Sequence, residues 1–241
     1  MEWRFIEPAP GQDFVELAGL FDVVMVADRR YLVMNNVWGA LTPQTLLVDV
    51  RNGDFTVIRA EHDGGEQVAS YPAIVIGCHW EISTDGSGMP VEVRRLASLL
   101  SSWSFTPIDS GKWNAAYDLW FSPLTDSTIG YPGGAEIMIW LDRRGAAPDG
   151  SLVETVGIGG LEWEVWFEGK KRDWVYIAYN SKQPVREVNN LDLLAFIQDC
   201  MRRGWIQRDW YLHAVEAGFE IWKGGVGLAS RGFSVSLTRK D

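Results

Sequence analysis

Short runs in which apolar and polar residues alternate with a period of two recur along almost the whole chain, each closed by a turn signal. "RYLVMNNVW", "TLLVDV", "DFTVIRAEH", "AIVIGCHWEI", "WNAAYDLWF", "AEIMIWL", "LEWEVWFEG", "DWVYIAYN", "AVEAGFEIW" and "GFSVSLTR" are rich in Val, Ile, Tyr, Phe and Trp. Between them lie "RNGD", "DGGE", "TDGSG", "GYPGG", "APDGS" and "WKGGVG". β-Branched and aromatic side chains suit a pleated, half-buried surface, while Gly, Asn and Asp supply the turns. The pattern predicts an all-β sandwich or barrel, and no parallel βαβ alternation is present. With 241 residues and 46% hydrophobic composition the chain can build one sizeable core. No linker, repeat or low-complexity tract divides it, so residues 1–241 read as a single domain.

One segment departs from period two. Between Asn189 and Trp205, Leu193, Ile197, Cys200 and Met201 recur at helical spacing. Asn190 can cap the start, Arg202 and Arg203 fall in the last turn, and Gly204 can end it. This predicts one amphipathic helix packed on the outside of a sheet.

The net charge of −10 argues against a nucleic-acid partner, because phosphate binding needs a basic patch. The basic cluster Lys170-Lys171-Arg172 lies between two strand-like runs and reads as a solvated hairpin turn. Cys78 and Cys200 both sit in apolar surroundings and read as buried free thiols, since nothing in their spacing requires a bridge. His62, His79 and His213 are scattered and show no metal-ligand spacing. The start "MEWRFIEPAP" lacks the layout of a signal peptide, and no run approaches the ~18 apolar residues of a membrane span. A soluble protein is expected, intracellular or in mature form, with no membrane partner.

The chain has 13 Trp, beside 7 Tyr and 10 Phe. An indole joins a flat apolar face to an N–H, which suits a wet groove for a ring-shaped polar ligand such as a sugar. Strand parity shows where such a groove would lie. In "AEIMIWL", Glu136, Met138 and Trp140 share one face, and Ala135, Ile137, Ile139 and Leu141 take the other, a core face. In "WNAAYDLWF", Asn114, Ala116, Asp118 and Trp120 align against Tyr117, Leu119 and Phe121. In "AVEAGFEIW", Glu216, Gly218, Glu220 and Trp222 align against Val215, Ala217, Phe219 and Ile221. Asn36 and Trp38 go together in "LVMNNVWG". Any one of these acids alone reads as a solvated group on an exposed sheet. Together with the Trp residues they read as a binding face. Carboxylates beside sugar-stacking rings are what glycosidic hydrolysis needs, one to protonate the leaving oxygen and one to attack or stabilise the anomeric carbon.

The ordered set "NNVWG", "YPAIVIGCHW", "NAAYDLWF", "EIMIWL", "WYLHAVEAGFEIWKGGVGL" and "FSVSL" resembles glycoside hydrolase family 12, from about Tyr31 to Leu237. The resemblance implies a jelly-roll β-sandwich of two antiparallel sheets, with a substrate groove on the concave face. It implies a retaining endo-β-1,4-glucanase with Glu136 as nucleophile, Glu220 as acid/base and Asp118 supporting the nucleophile. Asn36 and Trp38 then bind sugar on the non-reducing side, and His79, Met138, Trp140 and Trp222 line the groove. Trp120 joins them, and Trp80 with it, provided that no bulge near Gly77 or shift of register turns them away. Many secreted family members pair a Cys at position 78 with one a few residues later, which is absent here. Ile221 stands where many members have Pro.

On this reading retention requires the two carboxyl groups to be ~5–5.5 Å apart. Glu220 must hold its proton near the working pH, aided by the Glu136 charge and partial burial. Asp118 should share a hydrogen bond with Glu136. No metal or organic cofactor is implied, the partner is a β-glucan polysaccharide, and a secreted monomer is expected. Two alternatives stand beside it: a xyloglucan-preferring member of the same family, and a non-catalytic carbohydrate-binding module on the same scaffold.

Overall fold

The computed structural model describes residues 2–128, 130–169 and 173–240. In chain order its strands are β1 (Arg4–Phe5), β2 (Phe14–Leu17), β3 (Asp22–Val26), β4 (Tyr31–Met34), β5 (Gln44–Asp49), β6 (Phe55–Ala60), β7 (Ala73–His79), β8 (Ile82–Ser83), β9 (Val91–Glu92) and β10 (Leu96–Thr106). They continue as β11 (Lys112–Ser122), β12 (Ala135–Arg144), β13 (Ser151–Ile158), β14 (Leu161–Glu168), β15 (Val175–Ser181), β16 (Glu187–Asp192), β17 (Tyr211–Gly218), β18 (Ile221–Lys223) and β19 (Ala229–Arg239). The single helix found among the described residues that is longer than one turn is α1 (Leu193–Arg202).

Two sheets result. The larger runs β1-β3-β4-β7-β17-β11-β12-β15-β14-β13, with β18, β8 and β9 paired alongside. The smaller runs β16-β10-β19-β6-β5-β2. This is the expected jelly-roll sandwich, with one qualification to the expected antiparallel pairing. β1 pairs β3 and β12 pairs β15 in parallel. The second pairing sets β15 beside β12 without a hairpin.

Parity assigns the faces as expected. Ala135, Ile137, Ile139 and Leu141 of β12, with Tyr117, Leu119 and Phe121 of β11, pack into the cluster that also holds Trp103, Phe105, Phe233 and Val235 of the smaller sheet. Each fully buried aliphatic side chain there contributes roughly 1.5–3 kcal/mol. Met138, Trp140 and Ala116 belong to a separate cluster on the opposite face, with Tyr176, Ala178 and Trp222. Close approach of the central strands depends on glycine. A Cβ at Gly218 would lie 2.2 Å from the Pro72 carbonyl oxygen, so β17 can close on β7 only without one.

The helix is shorter than its pattern. Asp192 caps it, its Oδ1 accepting the Ala195 N–H at 3.2 Å, and the expected cap Asn190 lies in β16 with φ 54. The pattern misplaces the start because β16 runs directly into the helix, with no loop to mark the boundary. Gly204 ends it as expected, in the left-handed region at φ 76. Phe196 wedges edge-on between Trp163 and Tyr179, and Leu193, Ile197 and Cys200 complete the buried face. Both cysteines are free; Cys200 is buried, but Cys78 is only half-buried, a correction to the expected pair of buried thiols. Cys78 sits near the end of β7, where its neighbour is the two-residue β8 and its Sγ meets the Met89 carbonyl at 3.9 Å. Lys170, Lys171 and Arg172 lie outside the described residues. No described helix is long and apolar enough to cross a membrane.

Candidate active site

The face of the larger sheet turned away from the core carries a groove of about 470 Å³. Its floor is laid in rungs across neighbouring strands. One rung reads Gly77, Ala214, Trp120, Glu136. The next reads Leu32, Val75, Glu216, Asp118, Met138, and the third Met34, Ala73, Gly218, Ala116, Trp140. Asp118 is therefore diagonal to Glu136 and directly opposed to Glu216. Diagonal side chains on one face lie within reach of each other.

Glu136 is 7% exposed, and its Oε2 accepts the indole N–H of Trp174 at 2.6 Å. Trp174 immediately precedes β15, whose parallel pairing places Tyr176 beside Glu136. A hydrogen bond to a carboxylate is roughly twice as strong as a neutral one, so this contact orients the group firmly.

Glu220 is held differently. It lies in the break between β17 and β18, half-buried. Asn114, fully buried, clasps it at several points. The Asn114 Nδ2–H donates to Glu220 Oε2, Asn114 Oδ1 accepts the Glu220 N–H at 3.0 Å, and the Asn114 N–H donates to the Glu220 carbonyl at 2.9 Å. The amide can serve both groups in one orientation only, with nitrogen towards the carboxylate and oxygen towards the N–H.

Asp118 has its pKa raised well above the ordinary carboxylate value, chiefly by burial and then by the charges of Glu136, Glu216 and Glu220. The Trp120 indole works the other way but falls short of an aligned hydrogen bond. Oδ1 of Asp118 is buried without a hydrogen-bond partner. Tyr71, whose hydroxyl donates to the Ala116 carbonyl at 3.1 Å, is likewise raised, by burial and then by Asp118, Glu216, Glu220 and Glu136. For both groups, burial and the nearby carboxylates favour the protonated form.

Every residue predicted for the site lines this groove: Asn36, Trp38, His79, Asp118, Trp120, Glu136, Met138, Trp140, Glu220 and Trp222. They differ in what they present. Trp38 is 42% exposed and offers a broad ring face. Met138 and Trp140 are nearly buried and form floor, the Trp140 N–H meeting Met138 Sδ at 3.4 Å. The Trp222 N–H donates to the Glu66 carbonyl at 3.1 Å, and Lys112 Nζ lies 5.1 Å from its ring centroid. Asn36 takes φ 44, and its carbonyl accepts the Tyr71 N–H at 2.9 Å. A bulge near Gly77 exists, but it falls one strand over. His213 is the extra residue of β17, set between Ala214 opposite Trp120 and Leu212 opposite Phe121. Trp120 stays in the groove, stacked on Tyr131 at 4.8 Å with Trp80 at 5.0 Å.

Trp174, Tyr71 and Tyr176 also line the groove and were not picked out from sequence. The signal was available in "DWVYIAYN", where parity puts Trp174 and Tyr176 on one face. Asn114 and Glu216 were placed on the correct face, but their partners were invisible.

A sequence model of glycosyl hydrolase family 12 matches residues 29–238. Among solved structures, endoglucanase cel12A from Rhodothermus marinus superposes with a TM-score of 0.92 at 53% identity, over 94% of this chain and 100% of that one. Endoglucanase S of Pectobacterium parmentieri is 27% identical over 84% of this chain and 80% of its own length. A xyloglucan-specific endo-beta-1,4-glucanase A of Emericella nidulans is 27% identical over 87% of this chain and 86% of its own length.

Proposed function

The chain belongs to glycosyl hydrolase family 12, and from that premise we propose that it is a single-domain endo-β-1,4-glucanase working by retaining double displacement. The observation that carries the reading is the pair Glu136 and Glu220, two carboxylates in one aromatic groove, each held by a neutral donor of its own. Glu136 attacks the anomeric carbon as Glu220 gives its proton to the departing oxygen. Glu220 then takes a proton from water, and the resulting hydroxide displaces Glu136. The Trp174 hydrogen bond aims Glu136. Asp118, diagonal to Glu136 on the neighbouring rung, supports the nucleophile through its position and its raised pKa, although the expected hydrogen bond between the two is not formed and Asp118 Oδ1 has no partner. Trp38 supplies a sugar platform, and Asn36 a polar partner beside it. The two carboxyl groups suffice for this chemistry, so no metal or organic cofactor takes part.

The substrate class is a β-1,4-linked glucan such as cellulose, carboxymethylcellulose or mixed-linkage β-glucan. A glucan polymer is met outside the cell, which favours a secreted enzyme, and we propose that it acts as a monomer. Barley β-glucan incubated with the protein should show new reducing ends together with a rapid fall in viscosity. The first-formed hemiacetal, followed by NMR, should be the β anomer. No reducing ends would sink the hydrolase reading and leave the binding-module reading, and an α anomer would sink retention. A xyloglucan-specific relative gives weight to a second preference, and relative rates on cellulose, mixed-linkage glucan and xyloglucan decide between them.

A further inference from the structure

Glu216 is fully buried beneath the groove floor, yet the reaction as derived leaves it unused. Its Oε1 lies 2.6 Å from His79 Nδ1, and its Oε2 is buried without a hydrogen-bond partner. The neighbouring positions on its face of β17 are Ala214 and Gly218, which need no charge to pack. A buried polar contact of this kind is weak evidence for stability, because desolvation can cancel its attraction and an apolar pair of similar volume often serves as well. The fold therefore holds a costly carboxylate in place for a reason other than packing.

His79 supplies that reason. Its ring is wedged between Trp3, at 5.6 Å and 74°, and Trp80, at 4.5 Å and 58°. It lines the groove, and its Nδ1 edge is committed to Glu216. We propose that Glu216 is a positioning residue, which locks the proton of His79 on Nδ1 and leaves Nε2 for a sugar hydroxyl in the groove. A carboxylate can only accept, so the nitrogen facing it must carry hydrogen. Nε2 is then the atom left for the glycan, and the ring cannot flip without breaking a charge-assisted bond. The proposal rests on the hydrolase reading for the identity of the ligand as a glucan.

The test uses cellotetraose binding by calorimetry in a Glu220→Gln background, so that the ligand is not consumed. Glu216→Leu should weaken binding about tenfold, the range expected for losing one hydrogen bond that a charged partner had fixed. Glu216→Gln keeps an acceptor oxygen and should restore most of the affinity. In a His79→Ala background, Glu216→Leu should add less than about twofold, because residues acting through one another are not additive. Full affinity in Glu216→Leu, or full additivity with His79→Ala, would overturn the proposal. If Glu216→Leu fails to fold, nitrogen-15 shifts of the unaltered protein decide: a protonated Nδ1 on His79 supports it, and an unprotonated Nδ1 overturns it. Failure of the hydrolase reading would show separately, as an unaltered protein that releases no reducing ends.

Discussion

Glu136 and Glu220 reach one groove from differently built backbones. Glu136 sits within a ladder, with β11 antiparallel on one side and β15 parallel on the other. Its donor, Trp174, arrives because β15 is in register with β12. Glu220 sits where the ladder stops, between β17 and β18, and its place is held by the side chain and backbone of Asn114. One carboxylate is positioned by a sheet, the other by a clasp. A sheet spreads its restraint over many hydrogen bonds, whereas a clasp concentrates it in one amide.

That contrast can be broken at its root. Glu136→Gln should lower kcat on β-glucan by about six orders of magnitude, as loss of a nucleophile does elsewhere. Glu220→Gln should lose polymer hydrolysis but still form the glycosyl-enzyme slowly from substrates with activated leaving groups. Near-normal hydrolysis by the Glu136 variant, measured by reducing ends, would remove the nucleophile from the ladder.

The next effect measures the clasp. Asn114→Ala should cost about a hundredfold in kcat, since an ångström of misplacement at a reacting group has that effect. Trp174→Phe keeps the ring and removes one donor to Glu136, and should cost about tenfold. The order matters more than either figure: if Trp174→Phe were the worse, the sheet would not be holding Glu136 by itself. Trp38→Ala removes a sugar platform remote from both carboxylates and should raise KM about tenfold with little change in kcat. A fall in kcat alone would contradict a binding role.

The smallest expected effect lies between the two carboxylates. Burial first, and the Glu136 charge next, raise Asp118 above the ordinary carboxylate range. The folded protein then binds that proton more tightly than the unfolded chain. Its contribution to stability is complete below the ordinary carboxylate pKa and is lost as pH rises towards the folded value. Asp118→Asn should therefore gain melting temperature over the parent at pH 7, by about 2–4 °C per kcal/mol, and gain less at pH 4. An equal difference at both pH values would mean that Asp118 is ionised in the folded protein.

Much of this was legible in advance. The period-two runs point to an all-β sandwich or barrel, the family resemblance narrows this to the sandwich, and parity separates Ile137 and Ile139 from Glu136 and Met138. The residues predicted to line the groove do so. The helix cap was misread, because Asn190 and Asp192 are both acceptable caps and only the entry from β16 chooses between them. Trp174 was passed over because its run, "DWVYIAYN", carries no acid on the groove face to draw notice.

What the sequence determined by itself is which face each side chain takes. Parity is a local property of the extended backbone; it survives the break at Phe219 and Glu220 but inverts at the bulge at His213, where Leu212 joins the core although Ala214 lies on the opposite face. What only the tertiary structure decided is which donor meets which carboxylate. Trp174 lies 38 residues from Glu136, and Asn114 lies 106 residues from Glu220. Glu216 and His79 are 137 residues apart. Such pairs depend on strand order and register across the sheet, which no local pattern encodes, and they turn a row of acids into groups with separate tasks.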